Sequence, residues 1–205
     1  MRKQTRPPKP DILVQHGDRW SQQWADLRAE RPSAQFQWYE DNDRTAREWL
    51  LPVLREMTQG HCAFCDAYPL EDRSKEPIEH FKPKHEPQFH SDAYAWENLF
   101  YACEFCQGAK QGQWDDGLLK PDADDYAFEK YFQFDFTTGE LKPNAVVSDS
   151  DQVRASVTIN MYGLDHETRR RFRRLELRKW SRCKGQELDD WAYRDFLEGA
   201  SNEAA

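Results

Sequence analysis

No run of apolar residues in this 205-residue chain approaches the roughly 20 needed to span a bilayer, so no membrane partner is expected. The N-terminal stretch Met1–Pro10 is basic but carries no apolar stretch of the kind a secretory signal needs, which makes a cytoplasmic protein the expectation. Internal repeats and low-complexity tracts are also missing, which sets solenoids and disordered tails of biased composition aside. Positive charge is in deficit overall: 29 Lys and Arg face 37 Asp and Glu, a net charge of −8. The average hides segregation. Residues 166–184 hold nine Arg and Lys against Glu167 and Glu176, a local charge of +7, and the rest of the chain is correspondingly acidic. Phosphate binding follows such a local patch and not the net charge.

At this length one medium domain, or a small catalytic module with helical flanks, has enough interior to fold. Residues 1–10 read as an extended mobile arm. Trp20, Trp24 and Leu27 recur at helical spacing and predict a helix over 19–30, stopped by Pro32. A second helix is expected over 44–57, with Trp49, Leu50, Val53, Leu54 and Met57 on one face, Asp43 as N-cap and Pro52 as a kink. Gly60 ends it. The alternation in 131–136, the turn at Thr137-Thr138-Gly139 and the return through Pro143 predict a β-hairpin. Helices follow over 150–161 and, capped by Asp165, to Lys184, with a last short helix holding Trp191, Tyr193 and Phe196.

Cysteine is sparse, and four of the five fall into two C-x-x-C pairs, Cys62/Cys65 and Cys103/Cys106. Each pair puts two thiolates on one tight turn, the bite a tetrahedral ion needs, so the four are read as ligands of a structural Zn2+ with no open position. The 37 residues between the pairs exceed the spacing of a simple zinc ribbon, so something folds between them. Cys183 stands alone and reads as a buried or half-buried thiol.

Between the knuckles the chain reads Glu76-Pro-Ile-Glu-His-Phe-Lys-Pro-Lys84, then Tyr94-Ala-Trp-Glu-Asn-Leu-Phe-Tyr-Ala-Cys103, then Cys106-Gln-Gly-Ala-Lys110. Over residues 62–110 this resembles the HNH (ββα-metal) endonucleases, and within them the PtuB-like proteins of Septu and retron-associated anti-phage defence systems. The resemblance implies an α+β fold, a small zinc-stapled ββα-metal core flanked by N- and C-terminal helices. The division would be 1–60 arm and helices, 61–120 nuclease core, 121–198 hairpin and C-terminal helices, and 199–205 a disordered tail. By the same resemblance His80 is the general base, Glu79 a ligand of a catalytic Mg2+ or Mn2+, and Asn98 the residue that orients the catalytic loop. Gln107 takes the third position, where the family usually has His or Asn. A PtuA-like ATPase is the implied partner.

The chemistry of the residue types agrees with that pattern. Phosphodiester hydrolysis needs a deprotonated water and positive charge near the leaving oxygen. A His of near-neutral pKa can take the proton. Lys82, Lys84 and Lys110 are candidate phosphate contacts. Arg170, Arg174, Arg178 and Arg182 recur every four residues, a stripe along one helix that would bind phosphates without reading sequence, while Phe172, Leu175 and Trp180 anchor the helix. His61, His85 and His90 match no position of the motif and read as polar loop residues. Nucleic acid is therefore the expected substrate, DNA ahead of RNA. Two alternatives stay open: a ribonuclease effector acting on RNA such as tRNA, and a catalytically inactive zinc module that binds nucleic acid or a partner protein.

Overall fold

The computed structural model describes residues 1–70, 77–183 and 187–203; Glu76, Lys184 and the last two alanines lie outside the described residues. The first helix, α1 (Asp11–Glu30), starts eight residues before the expected position. The carbonyl of Pro10 accepts from the amides of Leu13 and Val14, which starts the helix there. Its buried positions Leu13, Gly17, Trp20 and Trp24 form one continuous stripe. The short ribbon β1 (Glu40–Asp41) and β2 (Arg44–Thr45) leads into α2 (Ala46–Met57). Thr45, not Asp43, is the N-cap: its hydroxyl accepts from the Glu48 amide while the Glu48 carboxylate accepts from the Thr45 amide. Pro52 lies inside α2 and has no N–H to offer the Glu48 carbonyl. The Arg44 guanidinium takes that carbonyl at 3.2 Å and lies over the Trp49 ring.

Antiparallel strands β3 (Ile78–His80) and β4 (Leu99–Tyr101) pair Ile78 with Tyr101 and His80 with Leu99, and α3 (Glu104–Lys110) follows directly. This is the strand, strand, helix order expected between and after the knuckles. The predicted hairpin is present as β5 (Phe132–Asp135) and β6 (Glu140–Pro143), entered from α4 (Phe128–Tyr131). At its turn Gly139 has φ of +76°, and a Cβ there would stand 2.5 Å from the Arg170 carbonyl oxygen, so only glycine lets the hairpin meet the next helices this closely. These are α5 (Asp149–Met161), α6 (Glu167–Trp180) and α7 (Arg194–Glu203). His166 caps α6 in place of the expected Asp165, whose carboxylate accepts from the Leu141 amide and from Arg170. One buried cluster joins Met1, Trp20, Leu50, Phe64, Tyr101, Phe132 and Leu164, so these segments share an interior. Among the described residues no helix is long and apolar enough to cross a membrane.

Three expectations fail for identifiable reasons. The N-terminal arm is pinned and not mobile: the Gln4 amide donates to the Pro121 carbonyl, Arg6 pairs with Asp122 and donates to the Trp96 and Leu99 carbonyls, and the Trp96 indole donates to the Pro7 carbonyl. The tail from Gly199 is helical to Glu203, because Phe196 and Leu197 are fully buried and the helix packs Gly199 against Phe136. Phe172 does not anchor α6; it is 50% exposed, and Arg169 and Arg173 occupy the buried face.

The end of the first knuckle is tied to α7 by a buried ion pair. Arg194 Nη2 lies 2.7 Å from Asp66 Oδ1, and the Arg194 amide donates to Asp66 Oδ2. Both side chains are 5% exposed, and Arg194 keeps a second carboxylate, Asp189, at 2.8 Å. Asp66→Ala, which removes the buried charge-assisted hydrogen bonds but leaves Arg194 paired, is expected to cost about 1.5–3 kcal/mol of folding free energy, against an Asp66→Glu control, in urea titrations at saturating Zn2+.

Candidate functional site

The two C-x-x-C turns converge. Gly60, with φ of +78°, closes the end of α2 and delivers Cys62 and Cys65 to the cluster. Cys103 is the residue capping α3, and Cys106 sits in its first turn. The backbone stitches the two turns together: the Ala63 amide donates to the Tyr101 carbonyl, and the Cys103 amide faces Cys62 Sγ at 3.4 Å. All four sulfurs are buried and lie within 4.8 Å of one another, with Cys62 to Cys106 at 3.7 Å and Cys65 to Cys103 at 3.6 Å. A tetrahedral ion with about 2.3 Å bonds to sulfur sets its ligands about 3.8 Å apart, so the cluster fits a metal ion such as zinc. Among the described residues it is the sole group of three or more Cys, His, Asp or Glu placed to share one.

His80 ends β3 and is 4% exposed. Its Nε2 lies 3.0 Å from the Ala93 carbonyl oxygen, which can only accept, so the proton of the neutral ring sits on Nε2 and Nδ1 is bare. Lys84 Nζ is 3.3 Å from that Nδ1. The segment between α1 and β1 crosses the ring: Trp38 stacks on it at 5.5 Å and Phe36 meets it edge-on at 5.1 Å. Burial, and then the Lys84 ammonium, push the imidazole well below its usual range.

Asn98 holds the loop after β3. Its Oδ1 accepts from the Lys82 amide at 2.6 Å, and its Nδ2 donates to the Lys82 and Asp92 carbonyls at 3.1 and 2.9 Å. That clamp, next to Ala93, fixes the carbonyl on which His80 rests. Helix α1 steadies the same loop, with the Trp24 indole donating to the Lys84 carbonyl and Ser21 Oγ accepting from the Tyr94 amide.

The three candidate phosphate lysines separate. Lys84 stands at His80. Lys82 is 43% exposed and pairs with Asp92 at 2.9 Å. Lys110 is fully buried, its Nζ 2.8 Å from Glu79 Oε1 and 2.9 Å from the His80 carbonyl oxygen, so it is no phosphate contact. Alternation along β3 turns Glu79 away from His80 and toward α3, and Lys110, one turn after Cys106, fills the space between. Burial raises the Glu79 carboxyl above its usual value, and Lys110 only partly offsets this. Gln107 spends its amide nitrogen on the Ala102 carbonyl at 3.0 Å. With an ammonium already against Glu79, this arrangement does not fit a divalent ion held by Glu79 and Gln107.

On α6 the expected stripe divides. Arg170 is engaged by Asp165 and by Glu140, the latter at 3.1 Å. Arg174 and Arg178 are exposed. Arg173 is buried on the carbonyls of Gly139 and Leu164, and Arg169 reaches Cys106 Sγ at 3.1 Å. His61 is also buried, with ring nitrogens 2.9 and 3.1 Å from the Gln59 and Trp191 carbonyl oxygens; it is a packed residue and not a loop one. His85 is exposed and His90 half-buried, beside Trp24. Sequence reading missed Arg169, Phe36 and Trp38. The spacing of Arg169 and Arg173 by four was the available signal for a buried basic face.

The His80 geometry yields a titration. An unfolded His ring titrates near 6.5. With the folded value lower, unfolding takes up a proton between the two, so the stability His80 contributes is complete above about pH 6.5 and drains as pH falls through that interval. Long-range 15N–1H spectra at pH 6.5 should show a neutral His80 protonated at Nε2; an imidazolium signal there would contradict the arrangement. No protein-family model matches the chain, and no curated protein matches it.

Proposed function

We propose that the chain is an HNH-type endonuclease that hydrolyses nucleic-acid phosphodiesters, DNA in preference to RNA, with His80 as general base on a module stapled by zinc at Cys62, Cys65, Cys103 and Cys106. The observation that carries the reading is the state of His80: neutral, fixed at Nε2 by a backbone carbonyl, with the Lys84 ammonium 3.3 Å from its bare Nδ1. In the reaction Nδ1 takes the proton of a water directed at phosphorus, and the Lys84 ammonium pairs with a phosphate oxygen. Asn98 acts by keeping the loop, and through Ala93 the ring, in place. Phe36 and Trp38 must part from the ring before a water can line up with Nδ1. The resemblance adds a catalytic Mg2+ or Mn2+ at Glu79 and Gln107; no step is derived through it, because Lys110 already holds Glu79. The exposed Arg174 and Arg178 supply contacts to the substrate backbone. As an effector, the nuclease would work with a PtuA-like ATPase in anti-phage defence.

A second reading has its own support. The Glu79–Lys110 pair and the covered His80 also suit a catalytically inactive zinc module that binds nucleic acid or a partner.

Gel cleavage of phage DNA and of total RNA, with and without a PtuA-like ATPase, separates these readings. His80→Ala should lower cleavage by about 10²–10⁴ while zinc content stays near that of the wild type; loss of the buried ring lowers the melting temperature by a few degrees, so cleavage is read at a temperature where the variant is folded. Undiminished cleavage would place the chemistry elsewhere, and an inert wild type with its partner present would favour the inactive module. EDTA followed by Mg2+ or Mn2+, with zinc content monitored, reads the divalent requirement directly.

Reversing Arg174 and Arg178 to Glu removes charge without touching the interior. Affinity should fall alike for all sequences, and the slope of log affinity against log salt should flatten by about 2. Unchanged DNA binding with loss of the ATPase complex would make α6 a docking surface for that protein.

A further inference from the structure

A divalent ion held by four thiolates carries a net charge of about −2, and in a dry interior such a charge requires compensation. Among the described residues one cation touches the sulfurs. Arg169 comes from the first turn of α6, 63 positions after Cys106 in the chain, and places Nη2 at 3.1 Å from Cys106 Sγ. It is 4% exposed and lies over the Phe105 ring at 4.5 Å. Among the described residues it has no carboxylate partner, and its Nε has no hydrogen-bond acceptor at all. Were the cysteines neutral thiols, Arg169 would be a buried charge that no other described residue balances, a costly state. Among the described residues, the groups in reach that can balance it are the sulfurs, as thiolates.

A groove of about 400 Å³ runs beside the buried centre, lined by Cys65, Cys103, Phe105, Arg169 and Phe172, and the two phenylalanines at its edge are 46% and 50% exposed.

We propose that Arg169 is the charge partner of the metal centre: its N–H group donates to the Cys106 thiolate, offsets part of the negative charge, and so strengthens metal retention while docking α6 on the knuckles. Arg169 acts through Cys106 and is a positioning residue. The role is distinct from the nuclease reading, since it requires only that the cysteines hold a metal.

The test uses the full-length chain as Arg169→Met, which keeps length and removes charge, Arg169→Lys, which keeps charge and loses the planar fork, and Phe172→Ala as an α6 control. In competition with a chromogenic chelator, Arg169→Met should hold zinc about 10–100-fold more weakly, Arg169→Lys should lie between it and the wild type, and Phe172→Ala should match the wild type. In the cobalt-substituted protein the thiolate-to-metal charge-transfer band should move to longer wavelength in Arg169→Met, because a thiolate without its donor gives up charge more readily. Arg169→Lys should restore part of that shift, which a packing defect would not produce. Wild-type affinity and an unmoved band in Arg169→Met would overturn the proposal. If that variant does not fold, Arg169→Lys decides alone: a shifted band with weaker retention supports the proposal, and values equal to the wild type overturn it.

Discussion

Four sulfurs meeting at one point set the position of almost everything else in this chain. Strands β3 and β4 have three residues each, and a two-stranded ribbon of that length does not hold together in water by itself. What closes it is the convergence of Cys62 and Cys65 with Cys103 and Cys106, which ties off the whole stretch between them. Closing a loop of that size in one step costs chain entropy, and four thiolates within 4.8 Å of one another repel, so sulfur alone cannot supply the closure. A bound cation reverses the sign of that interaction, and its binding energy becomes folding energy. Helix α3 grows directly from the second knuckle, the turn after Gly60 leads into the first, and the register of His80 opposite Leu99 follows from both.

The second organising feature is the use of long cations where a fold with longer strands would use ladder hydrogen bonds. Short strands and long irregular loops leave carbonyl oxygens that no backbone N–H reaches, and buried carbonyls must be satisfied. Lys110 takes the His80 carbonyl, Arg173 those of Gly139 and Leu164, and Arg6 that of Leu99. Arg44 takes the Glu48 carbonyl left open by Pro52. Each of these side chains brings an apolar stem and several donors, so it fills space and satisfies oxygen at once. The N-terminal arm is ordered for this reason, although its composition alone predicts mobility.

Legibility in the sequence followed the range of the interaction. The knuckles, the hairpin around Gly139 and the helix holding Leu50 and Leu54 are local patterns and were legible. The stripe of α1 was legible from Trp20 onward, but Leu13 and Gly17 continue the same spacing and were overlooked. The fates of Lys110, Arg169 and Arg173 were not legible, because a charged residue at helical spacing normally marks the solvent face, and here the partner that makes burial tolerable lies 31 positions away for Lys110 and 63 for Arg169. Phe172 was misread by the same rule in reverse: an aromatic residue in a basic helix looks like the anchor until the arginines are seen to anchor instead. At the candidate site Lys84 lies at His80 and Asn98 clamps the loop next to Ala93, on whose carbonyl the ring rests, whereas Phe36 and Trp38 arrive from a segment with no periodicity to announce it.

The cover of Phe36 and Trp38 over His80 bears on how such a base can work. Burial is the larger cause of the ring's low proton affinity, and the two aromatics supply part of that burial. Moving them aside admits water and relaxes the desolvation, which on its own returns the ring toward the normal range of His. Lys84 opposes that return for as long as its ammonium stays at Nδ1, where it lies 3.3 Å away and over the Phe36 ring. On the proposed nuclease reading, a phosphate arriving at Lys84 would neutralise the ammonium in turn, and the imidazole would become a better proton acceptor as substrate binds. In the covered state the ring is held at Nε2 and shielded from water, which on the same reading would keep the base idle until substrate arrives while leaving its geometry ready.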